Sequence, residues 1–342
     1  MTQHAPTQSP PPGRDPAPTL ADKVAFLHSL CGAADEAIET HFAWVVLVGD
    51  RAYKLRKPVR RDPMNYATLA ARRAGSEAEV RLNRRLAPHV YLGIQALVVD
   101  AAGRLCLGGD GTVVDWLVEM RRLDRARLLD AVLARSGVED PSLQGIVNLL
   151  AAFYAGAEPA ITDPRVYRER LRVRTQANHA VLETLDPGRA ALVYSRQCAF
   201  LDSNQATLES RIGNGCVVEA HGDLRPEHIL LAAPPAVIDC LEFDRDLRIL
   251  DRAEELSFLE LECGRVGAAS SGRWLREQCL ARLNDAAPAP LLAFYRSLRA
   301  SNRAKLYALR ADEPDGLSPD AWRARAGDYL ATALIAAAAA AP

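Results

Sequence analysis

The stretch VVEAHGDLRPEHILLAAPPAVIDCLEF, residues 217–243, holds two carboxylates, Asp223 and Asp239, that are 16 positions apart. Apolar Val217 and Val218 lead into His221-Gly222-Asp223. Ile229-Leu230-Leu231 and Ala236-Val237-Ile238 are joined by an Ala-Ala-Pro-Pro turn. Two apolar runs around such a turn predict a hairpin whose ends bring the 223 loop and Asp239 to one spot. Paired acids of this kind serve phosphoryl transfer: one accepts the proton of an attacking hydroxyl, and the other holds Mg²⁺ against phosphate oxygens. Gly222 lets the backbone turn tightly beside the base. His221 is expected to brace the loop through hydrogen bonds.

These residues need elements to position them. Residues 20–31 have helical spacing, with Val24, Leu27 and Leu30 on one side. Strands are expected at 41–48 and 52–59 around the turn Gly49-Asp50-Arg51. A helix over about 66–86 ends before Pro88. Further strands are expected at 93–99, 105–107 and 112–117. From Arg121 helical patterns dominate, interrupted by the β-rich stretch at 217–243 and resumed from about Asp251. Strands first and helices later give an α+β class with two lobes. The expected division is a disordered Pro-rich leader over 1–19, a β-rich N-lobe over 20–118 with one long helix, and a helical C-lobe over 119–335.

HGDLRPEHI followed by VIDCLEF resembles the catalytic segments of the aminoglycoside phosphotransferase-like and choline kinase-like family, which has a protein-kinase-like fold. THFAWVVLVGDRAYKLRKPV and EVRLNRRLAPHVYLGI extend the resemblance over roughly residues 36–310, toward the branch often fused to a P-loop ATPase module; no G-x-x-x-x-G-K-[ST] occurs here. The resemblance implies a bilobal kinase-like fold, ATP, Mg²⁺ and a hydroxyl-bearing small-molecule acceptor. Asp223 then matches the catalytic base and Asp239 the metal ligand. Lys54, one of only four lysines (Lys23, Lys54, Lys57, Lys305), matches the strand lysine that grips phosphates. Alternation puts Ala52 on the same face, where a small side chain leaves room for adenine. Glu79, on an inward helix face with Leu82 and Leu86, is the candidate partner of Lys54. Glu119 and Met120, past the strand ending at Leu117, stand where backbone groups would bind the adenine edge.

The pattern departs from the family at His228, where asparagine is usual. An imidazole nitrogen suits Mg²⁺ poorly, so one metal suffices, Glu242 compensates, His228 as a ligand favours Mn²⁺, or catalysis is impaired. No Gly-rich phosphate loop is visible; residues 38–41 stand in its place, with Thr40 offering a hydroxyl. The second reading is therefore a nucleotide-binding pseudokinase that regulates a partner. A third is a metal-dependent hydrolase using Asp223, Asp239 and His228. Asp251 and Glu255 are expected to hold the C-lobe loop, and Tyr295, Arg299, Arg303 and Lys305 form a late basic helix that lines an acceptor site or faces water.

The net charge of −1 gives no global field toward nucleic acid or anionic membranes. Seven scattered cysteines without zinc spacing predict reduced thiols and a cytoplasmic protein. The Ala-rich C-terminus is expected as a frayed helix end.

Overall fold

The computed structural model describes residues 17–32, 36–136, 140–161, 163–312 and 318–340; residues 1–16 of the expected leader lie outside them. The chain forms two compact units, residues 1–80 with 91–122, and residues 81–90 with 123–342.

In the first unit, α1 (Leu20–Ser29) begins at Thr19. The Thr19 hydroxyl accepts from Asp22 N at 3.2 Å and the Asp22 carboxylate accepts from Thr19 N at 2.8 Å. This reciprocal cap satisfies two donors that a helix start leaves unpaired. The chain continues through β1 (Ala37–Glu39), β2 (Ala43–Val48), β3 (Arg51–Arg56), β4 (Arg60–Arg61), β5 (Met64–Asn65), α2 (Leu69–Asn83), β6 (Tyr91–Val99), β7 (Leu105–Leu107) and β8 (Thr112–Arg121). Six strands make one antiparallel sheet in the order β1-β2-β3-β8-β6-β7. Gly49, at φ +56°, opens the two-residue turn between Val48 and Arg51, the backbone state that such hairpins demand. Leu27 of α1 is buried with Val46, Leu55 and Leu117 of the sheet. Buried Asp115 accepts from Lys23 Nζ at 2.8 Å and from Arg72 Nε at 2.7 Å, which ties α1 and α2 to β8. A buried charge held by two opposite partners avoids the penalty of an unpaired one.

Several strand limits differ from those read in the sequence. β8 runs through Arg121 instead of ending at Leu117, because both neighbouring strands extend the ladder. β1 was not expected; it forms where residues 37–39 find partners at Trp44, Val45 and Val46.

The second unit is mostly helical. It contains α3 (Leu129–Ser136), α4 (Asp140–Ala155), α5 (Pro164–Leu185), α6 (Pro187–Ser203), α7 (Gln205–Gly213), β9 (Val217–Glu219), β10 (Ile229–Leu230), β11 (Ala236–Val237), β12 (Ile249–Asp251), α8 (Arg252–Arg265), α9 (Ala269–Arg282), α10 (Ala289–Arg310) and α11 (Pro319–Ala339). Asp163 and Asp186 cap α5 and α6, each with proline at the first turn, where its missing N–H costs nothing. α5, α6, α10 and α11 pack on one another, and α4, α8 and α9 enclose the larger core. Gly272 lets α9 approach α8 closely: a Cβ there would stand 2.6 Å from Cys263 Cβ and 2.9 Å from Glu260 Cα. The C-terminal alanines do not fray as expected. α11 continues to Ala339, and Ala333, Ala336 and Ala337 are buried, since small side chains let it lie close against α10.

Two short antiparallel pairs interrupt the helices. β10 and β11 form the expected hairpin, with Ile229 opposite Val237 and Leu230 opposite Ala236. β9 pairs with β12, a strand the sequence did not suggest.

Candidate active site

The loop after β9 is held from beneath. Glu255, wholly buried in the first turns of α8, accepts from His221 N at 3.0 Å and also from Gly222 N. Its other partner is the Tyr154 hydroxyl, at 2.6 Å. Gly222 has φ +95°, and a Cβ there would press on Leu241 at 3.0 Å. Glycine is therefore required by both backbone and space. Arg299 Nη1 donates to the Gly222 carbonyl at 3.2 Å.

His221 joins this loop to the hairpin. Asp223 N donates to His221 Nδ1 at 3.3 Å, so Nε2 carries the proton and donates to the Ile238 carbonyl at 2.9 Å. Burial, with His228 nearby, pushes the His221 imidazole down to about 3. It is a neutral brace. Ile238 N in turn donates to the His228 carbonyl at 2.9 Å, and Cys240 N donates to Asn83 Oδ1 at 2.9 Å.

These bonds bring Asp223, His228 and Asp239 together. His228 stands between the two acids: Nδ1 is 3.8 Å from Asp223 Oδ2, and Nε2 is 3.6 Å from Asp239 Oδ2. Arginine can only donate. Arg225 Nη2, 3.1 Å from His228 Nε2, therefore makes that nitrogen the acceptor. Nδ1 carries the proton and donates to the Asp223 carbonyl at 2.9 Å. Arg225 Nε also donates to Asp223 Oδ2 at 3.0 Å, and its Nη1 donates to Glu227. Burial pushes the Asp223 carboxyl up, but Arg225, His228 and Arg303 outweigh it and hold the group below the usual carboxylate range. Asp223 is thus an ionised, partly sheltered carboxylate at neutral pH.

Asp239 is the residue best suited to a metal ion. Its side chain is 50% exposed, and it sits at φ +61°, turned out of the strand line just past β11. Hard carboxylate oxygen with room for water and phosphate fits Mg²⁺. His228 fits less well, since Arg225 engages its Nε2. Among the described residues no group of three His, Cys, Asp or Glu side chains is gathered as a closed metal cage.

The first unit brings together the residues expected to handle nucleotide phosphates. Lys54 Nζ donates to Glu79 Oε1 at 2.8 Å, and the other Glu79 oxygen is taken by Arg56. Ala52 and Lys54 share one face of β3, and Ala52 is buried. Arg56, on that same face, went unnoticed in the sequence although alternation places it there. Lys57 turns to Glu39 at 2.6 Å. Glu119 and Met120 lie inside β8, opposite Tyr53 and Ala52 of β3 and Gly93 and Tyr91 of β6. They are ladder residues, not the free chain beyond a strand. Thr40 spends its hydroxyl on Ala43, donating to its carbonyl at 2.7 Å and accepting from its N–H at 3.0 Å.

Asp251 and Glu255 hold the loop region, one through each end of the β12–α8 junction. Asp251 accepts from Arg211 at 2.7 Å twice and from the Tyr295 hydroxyl at 2.9 Å. Tyr154 and Asn83 carry no signal in the sequence, yet each touches this region. Arg85 donates to the carbonyls of Glu219 and Ala220, at 2.9 Å each.

No family model matches the chain. Uncharacterized proteins of Mycobacterium tuberculosis and Mycobacterium bovis are 33% identical over 284 residues, 80% of this chain. The chain spans about half the length, 54%, of these curated relatives. Among solved structures, the GDP complex of wild-type aminoglycoside 2'-phosphotransferase-IIIa matches 91% of this chain and 96% of its own, at TM-score 0.51 and 15% identity. A choline/ethanolamine kinase family protein from Mesorhizobium loti matches 92% and 98%, at TM-score 0.49 and 14% identity. At 15% identity the likeness to the aminoglycoside phosphotransferase is one of fold. The chain has the protein-kinase-like fold of the aminoglycoside phosphotransferases, α+β with a β-rich N-terminal part and a larger helical C-terminal part.

Proposed function

We propose that this chain, built on the aminoglycoside phosphotransferase fold, is an ATP-dependent phosphotransferase that moves the γ-phosphoryl group to a hydroxyl of a small molecule. The observation that carries the reading is the meeting of Asp223 and Asp239 on either side of His228, 3.8 and 3.6 Å from its two ring nitrogens. Asp223 takes the hydroxyl proton, for which an ionised carboxylate is needed. Lys54, oriented by Glu79, takes the ATP phosphates, and Ala52 leaves space for the base. Backbone groups near Glu119 and Met120 lie within β8, so contacts to the adenine edge fall to the chain just past Arg121. Asp239 would hold Mg²⁺, or Mn²⁺ if His228 gives up Arg225 to join it, and the ion would supply charge neutralisation for the phosphates. Positioning and electrostatics then supply most of the rate.

His228 also supports the rival reading, a nucleotide-binding pseudokinase, since it displaces a usual oxygen ligand and is occupied by Arg225. One experiment separates the two. Nucleotide consumption is measured with ATP and GTP, with Mg²⁺ and Mn²⁺, across hydroxyl acceptors, for the wild type and Asp223→Asn. Turnover that falls at least about 10²-fold in the variant supports the phosphotransferase. Tight nucleotide binding with no turnover in any arm supports the pseudokinase.

A further inference from the structure

Resting on that reading, the wall beside Asp223 bears on the acceptor. Arg299, Arg303 and Tyr307 follow at four-residue steps on one face of α10, so they line up in one row. Arg299 is consumed internally: it pairs with Glu254 at 2.7 Å and donates to the Gly222 carbonyl. Arg303, one turn further, makes no hydrogen bond to the acid that faces it, Glu262.

The Arg303 guanidinium lies 4.8 Å from the Tyr307 ring centre and 5.7 Å from that of Tyr329 on α11. Its hydrogen bond among the described residues goes to the Tyr307 hydroxyl, at 2.6 Å from Nη2. Nε is buried with no hydrogen-bond partner there. The acid facing it, Glu262, stands 3.8 Å from Nε and is itself occupied by the Tyr329 hydroxyl at 2.8 Å. Glu227, whose charge acts on Glu262, is bound to Arg225. Arg303 is also near enough to Asp223 and Arg225 for its charge to act on both.

Aromatic rings at this range favour a cation, and here the protein supplies its own. Tyr329 carries Arg303 and Arg265, and Trp322, stacked on Tyr307, carries Arg310 and Arg325. A cationic acceptor would meet Arg303 and Arg225 as like charges, at rings already taken. An anion would instead complete a sheltered guanidinium that has five N–H donors and, among the described residues, spends one on a hydrogen bond.

We propose that the acceptor carries a carboxylate or phosphate beside its reactive hydroxyl, and that Arg303 receives this anion while Asp223 takes the hydroxyl proton. The acceptor oxygen bonds to the γ-phosphorus as the bond from that phosphorus to the β-bridging oxygen breaks. The proton goes to Asp223 and the bond's electron pair leaves with ADP.

The test uses a matched three-carbon series on the full chain: glycerol, glycerate, glycerol 3-phosphate and 3-amino-1,2-propanediol. Each is assayed for phosphoryl transfer from ATP and, separately, for equilibrium binding by calorimetry, in the wild type, Arg303→Gln and Arg303→Lys. The expected result is that one anion binds the wild type tightest, which also tells carboxylate from phosphate. Its affinity falls about 10- to 100-fold in Arg303→Gln, and Arg303→Lys recovers part of the loss. Glycerol, which brings no anion, changes in binding by less than the anion does. If Arg303→Gln lowers the thermal midpoint, Arg303→Lys against wild type carries the comparison. Preference for the amine, anion binding indifferent to both substitutions, or no anion binding overturns the proposal. Arg303-dependent anion binding without transfer in any arm overturns the phosphotransferase reading and leaves the anion site standing.

Discussion

A base must be ionised before it can take a proton, and Arg225 is the leading reason that Asp223 is. Burial pushes this carboxyl up, while Arg225, then His228 and Arg303, bring it below its ordinary value. A depressed acid stays charged through neutrality, so the acid limb of kcat/KM falls only below about pH 4. Arg225→Gln leaves burial less opposed, and the limb moves to higher pH; a pH–rate profile with an unmoved limb counts against Asp223 as the base. Glu255 works one layer down. Glu255→Ala strands the Tyr154 hydroxyl and two buried N–H groups, a loss of about 3 kcal/mol or more by urea unfolding. The His-Gly-Asp run and Asp239 are legible because the hairpin that unites them is local. Arg299 and Arg303 read only as part of a late basic helix that lines an acceptor site or faces water; the acids that pair with them, Glu254 and Glu262, lie far away in sequence, and no spacing rule reaches that distance.

Elements show the same division between local and distant order. The β10–β11 hairpin reads directly from two apolar runs and a Pro turn. β12 does not, since its three residues become a strand only through pairing with Val217, Val218 and Glu219. β8 outruns its expected end for a like reason: neighbours on both sides extend the ladder past Leu117. α8 and α9 meet at Gly272 with no room for a side chain. Gly272→Ala improves helix propensity in isolation, yet here it forces the helices apart. Overpacking of this kind costs about 1–3 kcal/mol. Urea unfolding should show the loss, with the loop of Asp223 unaffected; a gain in stability would mean that the contact relaxes freely.

At the scale of the whole chain, the thiols and buried acids set the response to solution conditions. Cys216, Cys240, Cys263 and Cys279 are buried, and burial pushes them up to about 11 for the first and about 12 for the others. Cys31, Cys106 and Cys198 are partly exposed. A thiol reagent should label three groups quickly in the folded protein and the remaining four only on unfolding. Rapid labelling of more than three would contradict the burial of these four thiols. For acids, the sign depends on the partner. Asp285 and Glu254 are pushed up by burial but held lower overall by Arg211 with Arg252 and by Arg174 with Arg299, respectively. Their contribution is present above the unfolded values and is lost as pH falls through the depressed folded ones, below about 4. Glu255 and Glu262 are pushed up by burial. They favour the folded state on the acid side, and that benefit fades as pH rises above about 4.3 toward their folded values. Urea midpoints taken from pH 8 to pH 3 should therefore pass through a maximum and collapse at the acid end.

Asp239 occupies the left-handed backbone region at φ +61°, where asparagine rests as comfortably as aspartate. Exchanging a single oxygen for an amide nitrogen there removes the negative charge without disturbing the turn. On the proposed function Asp239→Asn silences the chain without unfolding it, and it is then the inert twin against which any cellular role of the intact scaffold can be measured.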